Sequence, residues 1–206
     1  MNKTNLLKIF AWSVSGIVLV LAVIAWGQRL SWHLSKMTSY DLFPLFGLTA
    51  FSLMWAHYIV SAIRQYLGVD KKVLHTYIEA TSLVVLLAIF AHPGLLEWQL
   101  WRDGSGLPPN SVLHYVGPGL KVFAVFGMVS LLVFLAYELR RWYGDQSWWQ
   151  YVGYATDTAM LLIIVHSFKL GHTLQSGWLR IVWIFYAASL VLAMAYTYSK
   201  RFSSQK

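Results

Sequence analysis

The chain has no cysteine. This absence excludes disulfides, iron–sulfur clusters, thiolate metal sites and thiol redox catalysis. Any redox chemistry must then use a bound cofactor, and histidine is the ligand left to hold it. Charge is scarce as well. Only 12% of the 206 residues are Asp, Glu, Lys or Arg, against about 25% in an ordinary soluble domain. No GxGxxG or P-loop pattern occurs, so no site for NAD(P)H is visible and nothing suggests room for a flavin domain. No internal repeat, low-complexity tract or soluble domain is evident.

Apolar residues fill the space these absences leave. They make up 58% of the chain, and the mean hydropathy is +0.54. Six apolar runs, roughly 8–27, 43–65, 75–93, 118–139, 150–170 and 178–199, are each long enough to cross ~30 Å of hydrocarbon at ~1.5 Å per residue. The first, IFAWSVSGIVLVLAVIAWG, lacks a clear small-residue cleavage site and precedes further spans, so it reads as a retained helix. The expected fold is all-α: an integral membrane six-helix bundle forming one transmembrane domain over residues 1–206.

The net charge of +8 resembles a nucleic-acid signal, but the basic residues sit in short clusters between the apolar runs. That is how topology is encoded. A cytoplasmic N-terminus puts Lys3, Lys8, Arg64, Lys71, Lys72, Arg140, Arg141, Lys200, Arg201 and Lys206 inside. It leaves Arg29, Lys36, Arg102, Lys121, Lys169 and Arg180 outside. The bias predicts that both termini are cytoplasmic. Trp98, Trp101, Trp142, Trp148, Trp149 and Trp178 gather at the predicted interfaces as an aromatic belt facing lipid. The longest outer loop, roughly 94–117, is broken repeatedly by Gly and Pro. ELRR (138–141) and KK (71–72) are topology signals that would also suit docking of a cytoplasmic flavoprotein.

Seven histidines remain to be placed. His33 and His114 fall in outer loops and read as solvated. His92 is expected to end the third helix, and His166 to lie near the outer end of the fifth, where MLLIIV precedes it. These helices run in the same direction, so the two imidazoles sit at similar depth. Polar groups at membrane depth are costly and usually functional, and two facing imidazoles can ligate one haem iron axially. The plain alternative is two histidines hydrogen-bonded to neighbouring backbone or hydroxyls. With no other redox ligand in the chain, haem is the favoured reading.

Six helices, histidines on the third and fifth, a basic loop before the fifth, and HSFKLGHTLQSGWLR (166–180) together resemble the ferric reductase-like transmembrane domain. That superfamily includes ferric reductases, NADPH oxidases and the haem-binding membrane subunit of the periplasmic methionine sulfoxide reductase system. The resemblance spans most of helices two to six and is nearest to bacterial single-domain members. It implies a multi-pass protein of the bacterial cytoplasmic membrane that carries electrons through haem b rather than breaking bonds itself. Electrons would come from quinol or a separate flavin reductase. They would pass to ferric ions, oxygen or a periplasmic partner.

A second, inner haem would need ligands roughly thirteen or fourteen residues earlier, about four helical turns. Those positions hold Glu79 and Gly153, beside Ile78 and Val152. His75 lies about a turn too far toward the cytoplasm, and His57, although at inner depth, has no role in the resemblance. The spacing therefore supports one haem and does not supply a second pair.

Lys169 and Arg180 are expected to pair with haem propionates, or else to snorkel to lipid headgroups. His172 would do the same or substitute as a ligand, although six residues from His166 it falls on another helix face. Gly119 and Gly127 are placed to allow close approach of a helix or haem. Glu79 and Asp157 are intramembrane acids, and His75 and Glu79 share a face at i, i+4. With His57 they suit a quinone or proton-handling site, a divalent metal site, or a satisfied packing network with Tyr58, Thr76 and Thr156. The rival function is a proton or metal-ion transporter built on His57, His75, Glu79 and Asp157. A third is a structural subunit of a larger membrane complex.

Overall fold

The computed structural model describes residues 2–35, 37–139 and 143–203, without the side chain of residue 202. Lys36, Arg140, Arg141, Trp142 and Lys206, used above for topology and the aromatic belt, lie outside the described residues. Those residues hold seven α-helices and no strand: α1 Lys3–Arg29, α2 Ser39–Leu67, α3 His75–Arg102, α4 Asn110–Tyr115, α5 Lys121–Glu138, α6 Trp149–Leu170 and α7 Trp178–Ser203.

Five of the apolar segments are long and apolar enough to cross a membrane: Lys3–Arg29, Ser39–Leu67, Lys71–Arg102, Pro118–Glu138 and Trp178–Arg201. Helix α6, expected from the sequence as a further span, is not among the five. Its 22 residues give it the length. Gln150, Thr156, Asp157, Thr158, His166 and Lys169 interrupt its apolar character.

One boundary differs clearly from the sequence expectation. Helix α3 does not end at His92. It continues through Pro93 to Arg102 and takes in the first part of the expected 94–117 loop. Proline removes one N–H and crowds the preceding turn, but membrane helices tolerate it where neighbours re-satisfy the freed carbonyl. The rest of that loop contains the short helix α4.

The chain divides into two compact units, Met1–Leu96 with Trp178–Lys206, and Glu97–Gly177. In the first, Asn2 caps α1 by accepting from the Thr4 amide at 3.2 Å. A capping box between Thr38 and Asp41 starts α2, and Gly68 ends it in the left-handed conformation, φ 67°. Leu7, Ala11, Val60, Leu74 and Tyr77 form a buried cluster joining α1, α2 and the start of α3. On another side of α2, Phe51 lies against Trp183, and Trp55 stacks on Tyr186 at 4.2 Å while its indole N–H donates to Ser189 Oγ.

In the second unit, α5 and α6 pack on each other. The fully buried Ser130 donates to the Ala159 carbonyl at 3.1 Å, beside Met160. Ser111 of α4 donates to Glu97 at 2.7 Å. Large apolar side chains such as Ile17, Leu87, Leu132, Ile181 and Leu192 are exposed. On membrane-length helices, an exposed apolar surface of this kind suits contact with lipid.

Candidate histidine cradles

In the first unit, the Nδ1–H of His92 donates to the Phe43 carbonyl of α2 at 2.8 Å. A carbonyl only accepts, so Nδ1 carries the proton, and in the neutral ring the lone pair lies on Nε2. The imidazole is pressed against Gly47, one turn after Phe43. A β-carbon built at position 47 would lie 2.8 Å from both Nδ1 and Cε1 of His92. Any side chain there would displace the ring. The Phe43 ring adds a tilted contact at 5.4 Å.

The second unit repeats the arrangement. The Nδ1–H of His166 donates to the Phe123 carbonyl of α5 at 2.8 Å. Gly127, again one turn later, backs the ring. A β-carbon there would lie 2.6 Å from Cε1 and 2.7 Å from Nδ1. The sequence carries the same signature in both places, FPLFG at 43–47 and FAVFG at 123–127. Phe43, Gly47 and Phe123 were absent from the expected site.

Each cradle fixes the tautomer with the proton on Nδ1, and a hydrogen bond from the non-ligating ring nitrogen is also what orients a metal-binding histidine. Glycine lies close against each ring.

Of the other expected site residues, Lys169 lies beside the second cradle. Lys169, exposed in the last turn of α6, places its ammonium 5.6 Å from the centre of the Phe123 ring. The helix C-terminus also favours its charge. His172 opens the short 3₁₀ turn His172–Leu174 and is exposed. Arg180 is exposed on α7 and belongs to the first unit, whereas Lys169 and His172 belong to the second. Gly119 has open space around it, unlike Gly127.

His57 has the opposite tautomer to the two cradled rings. Thr81 donates its hydroxyl hydrogen to the Tyr77 carbonyl at 2.7 Å, so it must accept from His57 Nε2–H at 2.6 Å. The Tyr77 hydroxyl in turn bonds Ser15 at 2.9 Å. His75 and Glu79 form the expected i, i+4 pair at 3.1 Å, with side chains 71% and 62% exposed. Asp157 belongs to the second unit, and Thr156 bonds its own helix at Val152. Among the described residues, no three His, Cys, Asp or Glu side chains gather as a metal site.

Compared with known family models, curated proteins and solved structures, the chain matches none of them.

Proposed function

We propose that the chain is a haem b membrane electron-transfer protein, ferric reductase-like in organisation, in which His92 and His166 would hold the haem iron. The observation that carries this reading is the duplicated cradle. Two histidines, His92 on α3 and His166 on α6, are each fixed by a backbone carbonyl at 2.8 Å and backed by a glycine whose β-carbon would strike the ring. A packing histidine needs a hydrogen bond, but it does not need the same glycine-backed carbonyl twice.

Haem b, when bound, supplies a one-electron Fe(III)/Fe(II) centre. The chain's own part is to hold both imidazoles in the Nδ1–H tautomer, restrict their rotation and keep the surroundings apolar. Six spans, with α6 as the fifth and both termini cytoplasmic, belong to the same proposal, as does a bacterial inner membrane. His57 donates its Nε2–H and His75 is paired with Glu79, so neither presents a comparable cradle. One haem per chain follows. A haem held by His92 and His166 would take electrons from a membrane quinol or from flavin on a separate reductase and would serve an outer-side acceptor.

The test is the absorption spectrum of detergent-purified protein, oxidised and dithionite-reduced, with haem quantified per chain. Sharp low-spin b-type bands at one haem per chain are expected. Colourless protein after expression with ample haem would overturn the reading and favour the ion-transport alternative.

A further inference from the structure

Helices α1 and α7 both pack on α2, and a groove of about 500 Å³ runs between them in the first unit. Ile17 and Leu21 of α1 line one wall, Ile181 and Phe185 of α7 the other, and Trp55 and Ile59 of α2 the floor. The polar groups on this lining are already paired. The Trp55 indole N–H donates to Ser189 Oγ at 2.9 Å, and the Ser189 hydroxyl donates to the Phe185 carbonyl at 2.6 Å. The Tyr186 hydroxyl is bonded with Ser52. An occupant therefore meets hydrocarbon and no spare hydrogen bond. That suits an acyl chain and leaves the carbonyls of a quinone ring without a donor.

One end of the groove is tied shut. The Trp178 indole N–H, at the start of α7, donates to Gln28 Oε1, near the end of α1, at 2.8 Å. A further membrane-crossing helix lying along the groove would have to pass that bond. A flexible chain entering from the opposite end would not. From Phe10 to Leu21 the α1 wall runs roughly 17 Å at ~1.5 Å per residue, close to half the ~30 Å hydrocarbon thickness and so to the depth of one leaflet.

The opposite end carries cations. Lys8 precedes Gln28 by 20 residues, and Lys200 follows Trp178 by 22. Both are thus roughly 30 Å from the tie, at matched depth. Helix α2 holds them level: Leu7 packs in one cluster with Val60, and Gln65 donates to Thr197, less than a turn before Lys200, at 3.4 Å. Both lysines are exposed, and among the described residues no carboxylate is within ion-pair distance of either. Residues 1–40 and 158–206 contain no Asp or Glu. Lysines at a helix end are by themselves a topology signal. Here they flank the open end of a groove of acyl-chain length, where an anionic headgroup is attracted.

We propose that the α1–α7 groove binds an anionic phospholipid, with an acyl chain laid over Trp55 and Ile59 and the phosphate paired to Lys8 and Lys200. The assignment is independent of the haem reading.

Protein stripped of lipid in non-ionic detergent is titrated with phosphatidylglycerol and with phosphatidylcholine of the same chains, and bound lipid is counted by native mass spectrometry. Wild type should prefer phosphatidylglycerol by about tenfold. Lys8→Gln and Lys200→Gln should each lower the preference to about threefold, and the double variant should bring it near parity. Ile17 is 58% exposed and tolerates enlargement. Ile17→Trp should fill the groove and weaken both lipids by about tenfold. If that variant does not fold, Ile181→Trp on the other wall takes its place.

Wild type without a preference, or a preference unchanged in the double variant, overturns the assignment. So does full lipid retention after the groove is filled. Displacement of phosphatidylglycerol by an equimolar short-chain ubiquinone would make the groove a quinone site. A wild-type dimer dissociated by Ile17→Trp would make it an interface between copies. Either result replaces the phospholipid.

Discussion

In the first unit Pro93 follows the cradled histidine; in the second Ser167 follows it, donating its hydroxyl to the Ile164 carbonyl at 2.8 Å. The first cradle has Pro44 where the second has Ala124, and Leu95 where the second has Lys169. A cation stands over the Phe123 ring. In the first unit the nearby cation is Arg29, held on the turn before Phe43. Phenylalanine, glycine and histidine persist through all these differences, together with the 2.8 Å bond. The comparison teaches that the orientation of the imidazole is the constrained quantity, and that the surroundings are where the two sites are differentiated.

The hardest test of the likeness is removal of each ring. His92→Ala and His166→Ala should each abolish the low-spin bands; a normal low-spin spectrum in either would remove that residue as a ligand. Next come the backing glycines. Gly47→Ala and Gly127→Ala force the imidazole off its carbonyl, at a cost of about 1–3 kcal/mol for overpacking. Gly127→Ala should lose more haem on purification, since its β-carbon would be the closer. Gly119→Ala, which meets nothing within 4 Å, is the control. Equal haem content in all three would show that the glycines do not shape the site.

Lys169→Met probes the difference between the cradles. A positive charge beside the proposed haem favours the ferrous state by Coulombic attraction, on the order of 0.5 kcal/mol for well-screened charges. Its loss should lower the haem midpoint potential by about 20 mV. An unchanged potential in a redox titration would place Lys169 among headgroup contacts. The smallest effect is expected at the exposed His75–Glu79 pair. Glu79→Gln should change stability by less than about 0.5 kcal/mol and leave the haem bands alone. A large loss of haem would reinstate the inner polar residues as part of the site.

Much of this was legible in the sequence. The apolar runs mark the helices, and His92 and His166 stand out because a titratable ring in a hydrophobic run needs a reason. Gly127 was also readable. The carbonyls of Phe43 and Phe123 were not, because a backbone acceptor has no letter of its own; only the paired FPLFG and FAVFG strings hint at it. The end of α3 was misplaced because Pro93–Gly94 looks like a stop, whereas a membrane helix carries on past such a pair. The i, i+4 spacing correctly paired His75 with Glu79. His57 was grouped with them on depth alone, and it instead bonds Thr81, whose hydroxyl is committed to Tyr77.

The use of main-chain oxygen as the anchor has a genetic consequence. Replacing Phe43 or Phe123 by alanine leaves the carbonyl in place, so an alanine scan would report only the lost ring contacts and miss the hydrogen bond. Drift at those two positions is buffered in the same way. Selection would be felt mainly at two glycines and two histidines, and a survey of tolerated variants would reveal four fixed points rather than a contiguous motif.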